Sequence, residues 1–428
     1  MKWTGGSPVY RVSAVFNLNL ITLISVILLC AMTLEWLLAG FGRMQRDVFN
    51  VVFCVVAALF TAKYYYGPDI TSYVPLYDAI GDLNTFFSPK RITSYEWGFV
   101  LFCSLCNTLG LSFWGMTAAV SLILFTGLYL LISRLEYGRV MALALIVIMS
   151  PDLIYAQFRQ CLAVSLLIFA VLLTDKHKYV LSLLLSILAM TMHKSAMFMI
   201  VPAILYYAIQ PCRMEMSSLG TMLLVLFLLV LIPTQDLVEH LANNMRLNDS
   251  ALKSLKMHIS FSNLRQSNLL IFGAAIVSLM TFSAGKRGRT ALLSAAMMAL
   301  LITVAFYQYY MMANRLRAYF LPFAVVAIIE AGIEAKESNL PWSSLVRQSS
   351  KVIVLVFLIY KTCAFNTNST KDGDALKMST IFELATHSEK ELRERQMKRA
   401  QYFWDNAFLK GDDMDFRSKN YVDQYKDE

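Results

Sequence analysis

Two ionisable residues in the middle of this chain are spaced to act together. Arg159 and His193 flank the stretch Phe158 to Pro202, which reads as two apolar helices joined by a basic turn, Asp175-Lys176-His177-Lys178. Arg159 lies 16 residues before the turn and His193 lies 15 after it. At a rise of 1.5 Å per residue, each stands roughly 22–24 Å from the turn. A hairpin crossing a bilayer would therefore bring both to one depth, near the face opposite the lysines. Ionisable groups at membrane depth are costly, which makes them functional candidates by default. The bland alternative is an arginine that snorkels and a histidine hydrogen-bonded inside a bundle.

A guanidinium is a permanently charged, planar fork that matches phosphate oxygens, and Arg159, Arg315 and Arg317 offer three of them. An imidazole titrates near neutrality, so His193 suits proton transfer. Together these groups fit a substrate carrying phosphate or diphosphate at the membrane surface. A lipid-linked diphosphate is the natural case, with its tail in the bilayer and its headgroup at the arginines.

Other chemistries find no support. The sequence holds no Walker A loop, no GxGxxG after a strand and no HExxH. Asp372-Gly373-Asp374 and Asp413-Met414-Asp415 have a metal-binding D-x-D form, but both fall in a polar tail. Cys103-x-x-Cys106 sits in an apolar run without a second pair at zinc spacing, so it reads as helix packing. The net charge of +9 falls in short turns rather than in a basic stripe interleaved with aromatics, which argues against nucleic acid. No metal and no cofactor is expected.

The elements that must carry these residues are membrane spans. Of 428 residues 57% are hydrophobic and 16% charged, below the quarter charged that is usual for soluble domains. Mean hydropathy is +0.54. Apolar runs near 17–40, 48–66, 96–111, 114–133, 139–156, 158–174, 178–193, 195–209, 217–233, 267–284, 290–311, 317–333 and 351–365 predict an all-α polytopic membrane protein of about 12–13 transmembrane helices. The first run is too long for a signal-peptide core. Basic turns at Arg134/Arg139, Lys176/Lys178, Arg213 and Lys286–Arg289 share one side, read as cytoplasmic. Arg159, His193, Arg315 and Arg317 then occupy the other side, against the charge rule, as anion binding would require.

Residues 1–366 form the expected transmembrane catalytic domain. Within it, segment 67–95 holds Asp69, Tyr73, Tyr77, Lys90 and Arg91, which suits a substrate-facing loop although the span count places it with the cytoplasmic turns. Segment 234–266 repeats leucines at helical spacing and reads as amphipathic helices on the periplasmic surface, either a lid or a passive connector. Residues 367–428 read as a soluble charged helix and tail. Their helix, over 387–409, is supported by Glu389–Arg393, Glu391–Arg395 and Glu394–Lys398 pairs, with aromatics that give it something to dock with.

The run Phe158-Arg159-Gln160-Cys161-Leu162-Ala163, then a basic turn, then Met192-His193-Lys194-Ser195-Ala196, resembles the EpsG/Wzy family of bacterial polysaccharide polymerases. Asp69 followed by Tyr73, and the segment Asn314-Arg315-Leu316-Arg317-Ala318-Tyr319-Phe320, are similar to the family pattern as well. The resemblance covers roughly residues 48–333. It implies a GT-C-like bundle in the bacterial inner membrane that joins oligosaccharide repeat units carried on undecaprenyl diphosphate, at the periplasmic face and without a metal. By this resemblance Arg159 and Arg315, with Arg317, bind the donor diphosphate, and the cations do what metal ions do elsewhere. His193 activates the acceptor hydroxyl or orients a phosphate, with Asp69 as a rival base. Gln160 and Tyr73 face the glycan. Implied partners are the lipid-linked oligosaccharide, the bilayer, and flippase and chain-length regulator proteins. A glycan ligase uses the same donor and stays open as an alternative. A lipid-linked oligosaccharide flippase or transporter would place its ionisable groups near the midplane, in two symmetric halves, and no internal repeat of that kind is visible.

Overall fold

The structure is a computed structural model that describes residues 20–64, 70–88, 95–150, 153–154, 157–199, 318–327, 329–330, 352, 354–363, 379–380, 387–388, 390–392 and 394. Helices dominate: α1 Leu20–Leu37, α2 Gly42–Thr61, α3 Ile70–Ile80, α4 Leu83–Phe86, α5 Trp97–Thr108, α6 Phe113–Ile132, α7 Arg139–Met149, α8 Phe158–Thr174 and α9 Tyr179–Met192, then a 3-10 turn over Lys194–Met199. Ala318–Ala327 forms α10 and Val354–Cys363 forms α11. A two-residue ladder, β1 Lys63–Tyr64 with β2 Ser379–Thr380, departs from the all-helical expectation.

Two of these helices, α2 and α6, are 20 residues each and apolar enough to cross a membrane. Twenty residues rise about 30 Å, one hydrocarbon thickness. Others run shorter than the sequence predicts: α5 ends at Thr108 and α7 at Met149, where a left-handed Gly110 and a non-helical Ser150 (φ −137°, ψ 55°) break the pattern. Side chains leave apolar stripes bare. On α9, Val180, Leu183, Leu184 and Ile187 are 75%, 59%, 56% and 48% exposed at helical spacing. In water such a stripe is a penalty; in hydrocarbon it costs nothing, and a helix satisfies its own backbone there.

The chain divides into two compact units. Unit 1 comprises residues 1–125, 138–161 and 351–428. In it α1 packs on α2 and α7, and α2 on α7. Glu35 of α1 is buried, and its carboxylate accepts the Val140 N–H (3.2 Å) in the first turn of α7, where the helix dipole favours an anion. Phe125 of α6 closes the seam onto α2 through Phe53 (5.7 Å) and Phe60 (5.8 Å). Segment 67–95 is helical in its described part. Asp82 caps α4 by accepting from the Thr85 N–H (2.9 Å) and hydroxyl (3.0 Å), which lowers its carboxyl pKa. Asn107 of α5 pins the preceding turn by donating to the carbonyls of Gly81 (3.0 Å) and Tyr77 (3.2 Å). Gly81 is left-handed there, and a Cβ would meet the Thr85 hydroxyl at 2.7 Å.

Unit 2 comprises residues 126–137 and 162–350. The helical hairpin expected around the basic turn is present. Its first helix ends in a Schellman motif, with Lys178 N–H on the Leu173 carbonyl (2.9 Å) and His177 N–H on that of Thr174 (2.9 Å). His177 takes the left-handed position (φ 58°) that usually falls to Gly. Ser182 ties the arms together by donating to the Ala170 carbonyl (2.8 Å) and bonding Thr174 (2.7 Å). Arg134, in the turn after α6, reaches Asp175 at 2.6 Å. Two of the turns assigned to one side therefore meet.

Candidate functional site

Arg159 is the second residue of α8, and its side chain lies in unit 1. Phe158 sets the helix entry: its ring is buried against Tyr73 (5.2 Å) and Phe113 (5.9 Å), each edge to face. The guanidinium then meets three partners. Its Nε donates to the Tyr73 hydroxyl (2.8 Å), and one terminal nitrogen donates to Oε2 of Glu96 (2.7 Å). It also lies over the Tyr95 ring, 5.0 Å from the centroid. Glu96 stands at the N-cap of α5, and Tyr73 is on α3. Three helix starts thus converge, which aims fixed groups without long loops.

The ion pair is partly enclosed, with side-chain exposures of 24% for Arg159 and 10% for Glu96. A carboxylate oxygen and a phosphate oxygen ask the same of a guanidinium: a charged acceptor near 2.8 Å in its plane. The N-terminal N–H groups of α8 add their dipole at the same end. Lys63 brings a second cation close to the Phe158 ring beside Arg159. It is 4% exposed, donates to the Ile154 carbonyl (2.7 Å), and lies 4.9 Å over the Phe158 ring. Among the described residues no carboxylate pairs with it.

His193 lies in unit 2, as the extended C-cap of α9. Its Nδ1 is shared by two hydroxyls, Ser195 from the following 3-10 turn and Tyr319 from α10 (2.9 Å), which themselves lie 3.1 Å apart. Tyr319 is fully buried. Two hydroxyls on one nitrogen fix the ring plane. When Nδ1 accepts, Nε2 carries the proton and donates; when Nδ1 donates, Nε2 accepts one.

Of the residues expected from sequence, Arg159 and Tyr73 are brought together directly. Gln160 follows Arg159 and is buried, 2% exposed. His193 is joined by Tyr319, so two segments of the family-like pattern meet within unit 2. Asp69, Arg315 and Arg317 lie outside the described residues, as do Lys90, Arg91, segment 234–266 and the D-x-D motifs. Sequence reasoning missed Glu96 and Tyr95, which open the first apolar run after the Asp69 segment. It quoted Ser195 and Tyr319 without assigning them a role. An acid at the mouth of an apolar helix was the available signal for Glu96.

A search of curated proteins and of solved structures finds no match to this chain. The model of the EpsG family matches residues 48–374, which is most of the chain and contains Arg159, Glu96, His193 and Tyr319. With a fold of apolar helices, the chain therefore belongs to the EpsG family of polysaccharide polymerase-like membrane proteins.

Proposed function

We propose that this protein is a glycosyltransferase that polymerises undecaprenyl-diphosphate-linked oligosaccharide repeat units into a surface polysaccharide, at the periplasmic face of a bacterial inner membrane. It would do so from a GT-C-like bundle of about 12–13 spans, with no metal. The observation that carries this reading is the Arg159 fork, held at 2.7 Å to a carboxylate and 2.8 Å to a phenol in a partly enclosed niche. Glu96 occupies the place that an anionic oxygen of the donor takes. A diphosphate brings more charge than one carboxylate and displaces it from the guanidinium.

The reaction transfers the growing glycan. The acceptor hydroxyl oxygen attacks the anomeric carbon of the donor sugar, and its proton passes to a base. The bond from that carbon to the diphosphate breaks, and undecaprenyl diphosphate leaves. Arg159, with Arg315 and Arg317, neutralises the charge that develops on the leaving group. His193 takes the acceptor proton, its ring oriented by Ser195 and Tyr319 at Nδ1; Asp69 is its rival for that role. Tyr73 positions Arg159, and Gln160 stands with it on the glycan side. Flippase and chain-length regulator proteins are the expected partners in the membrane.

The experiment is polymerisation in vitro with purified protein and a synthetic lipid-linked repeat unit, with and without chelator. The expected product is a ladder of chain lengths that chelator leaves unchanged. Single-unit transfer to a different acceptor, with no ladder, would make the protein a ligase.

A further inference from the structure

The C-terminal segment returns to unit 1 at two places. Ser379–Thr380 pairs antiparallel with Lys63–Tyr64, in the register Lys63↔Thr380 and Tyr64↔Ser379. Leu392 is 1% exposed and packs against Trp114 at the start of α6. Between them a capping box starts a helix: Glu391 Oε2 accepts the Ser388 N–H (2.8 Å), and the Ser388 hydroxyl accepts the Glu391 N–H (3.3 Å).

Both anchors lead to one ring. From β2 the path runs through Lys63, whose ammonium lies 4.9 Å over Phe158 and holds the Ile154 carbonyl just upstream. From Leu392 it runs through Trp114 to Phe113 (5.0 Å) and from Phe113 to Phe158 (5.9 Å). Phe158 immediately precedes Arg159 and touches Tyr73, the phenol that accepts from the guanidinium. Packed aromatic chains of this kind transmit small displacements, because a close-packed interior has no slack. The family match ends at residue 374, so both anchors lie beyond it.

We infer that the two anchors, Ser379–Thr380 and Leu392, act as a buttress that positions Arg159 for the donor diphosphate. It stands on the same side of the membrane as the donor headgroup. Leu392, Trp114 and Lys63 are its positioning residues. This inference rests on the reading of Arg159 as the diphosphate ligand only for its catalytic consequence; the docking and its effect on Arg159 stand without it.

The test uses the full chain in membranes and has three arms. In the first, Arg159→Cys supplies a thiol whose rate of maleimide reaction reports how closely that position is held, against the native-cysteine background with Arg159 intact. Adding Leu392→Asp raises the rate at least about fivefold, and Leu392→Met leaves it within about twofold, as a volume-conserving change should. An unchanged rate with Leu392→Asp overturns the buttress, whatever Arg159 binds. In the second, Leu392→Asp lowers kcat/KM for the lipid-linked donor about tenfold with Arg159 present but less than about twofold further in an Arg159→Lys background, the mark of residues acting as one unit. Equal losses in both backgrounds overturn positioning through Arg159. If Arg159→Lys alone leaves kcat/KM unchanged, it is the diphosphate reading that falls, and the thiol rates judge the buttress. In the third, a membrane-impermeant maleimide on spheroplasts labels Lys390→Cys and Arg159→Cys alike. Labelling of one without the other overturns the shared side.

Discussion

Arg159 makes a nitrogen-specific pair of contacts, Nε to a phenol and a terminal nitrogen to a carboxylate. A lysine has neither the plane nor the second donor at a fixed angle. Arg159→Ala should abolish polymer while leaving membrane insertion intact. Arg159→Lys should lower kcat by roughly 10²–10³-fold, the scale of losing one oriented donor to a leaving oxygen. Repeat-unit ladders on gels, with protein levels in the same membranes, check both; full activity of the lysine variant would reduce the site to bulk charge. Tyr319→Phe tests the other group. It removes one of two hydroxyls on His193 Nδ1, keeps the buried ring, and should lower kcat about tenfold with donor KM unchanged. A loss confined to KM would move Tyr319 from orienting the histidine to binding substrate. These two residues also show where sequence stops. Arg159 and His193 announced themselves by type and depth, but Glu96 is 63 positions from Arg159 and Tyr319 is 126 from His193. Pairings at that range are set by tertiary packing, and no local pattern encodes them.

The hairpin around residues 175–178 was legible because every level agreed: two apolar runs, a break in periodicity, and charges only in the break. The helices found, Phe158–Thr174 and Tyr179–Met192, follow the predicted runs closely. Less legible were α5 and α7, where composition promised longer spans than the backbone delivers, since hydropathy measures what a segment tolerates rather than where it ends. The Arg134–Asp175 pair is the hairpin's tertiary anchor, with both side chains about four-fifths covered. Asp175→Ala strands the arginine and should lower stability by about 1–3 kcal/mol, the cost of leaving a covered charge unpaired. A thermal shift in detergent that is absent in the Arg134→Ala background would confirm that the loss belongs to the pair. The α4 cap gives a pH prediction. The Thr85 N–H and hydroxyl hold the Asp82 carboxyl below its ordinary value, so the cap stabilises α4 at every pH above about 4 and is lost as acid protonates it. Protection of the Thr85 amide should collapse below that pH, and Asp82→Asn should remove the transition.

At the scale of the whole molecule, the bare apolar stripes decide what solvent the fold expects. α9 exposes Val180, Leu183, Leu184 and Ile187 on one face, while Ser182, Ala189 and Met192 of the same helix are buried. A soluble bundle would reverse that pattern. The two environments make opposite predictions for one substitution. In water, Leu184→Lys would replace an exposed leucine by a solvated ammonium and improve solubility. In a bilayer it places a charge midway along a 14-residue helix against hydrocarbon, at a cost of roughly 2.5–3.5 kcal/mol on insertion scales. Neighbouring lysines at the helix start offer no relief, because a lysine stem spans only about one helical turn when it snorkels. Leu184→Lys should therefore shift protein from the membrane fraction to degradation, whereas Lys178→Leu, in the turn, should leave insertion efficient but weaken its orientation bias. Fractionation of the two variants beside the parent chain separates the cases, and a stable, water-soluble Leu184→Lys protein would overturn the membrane reading on which the donor's lipid anchor depends.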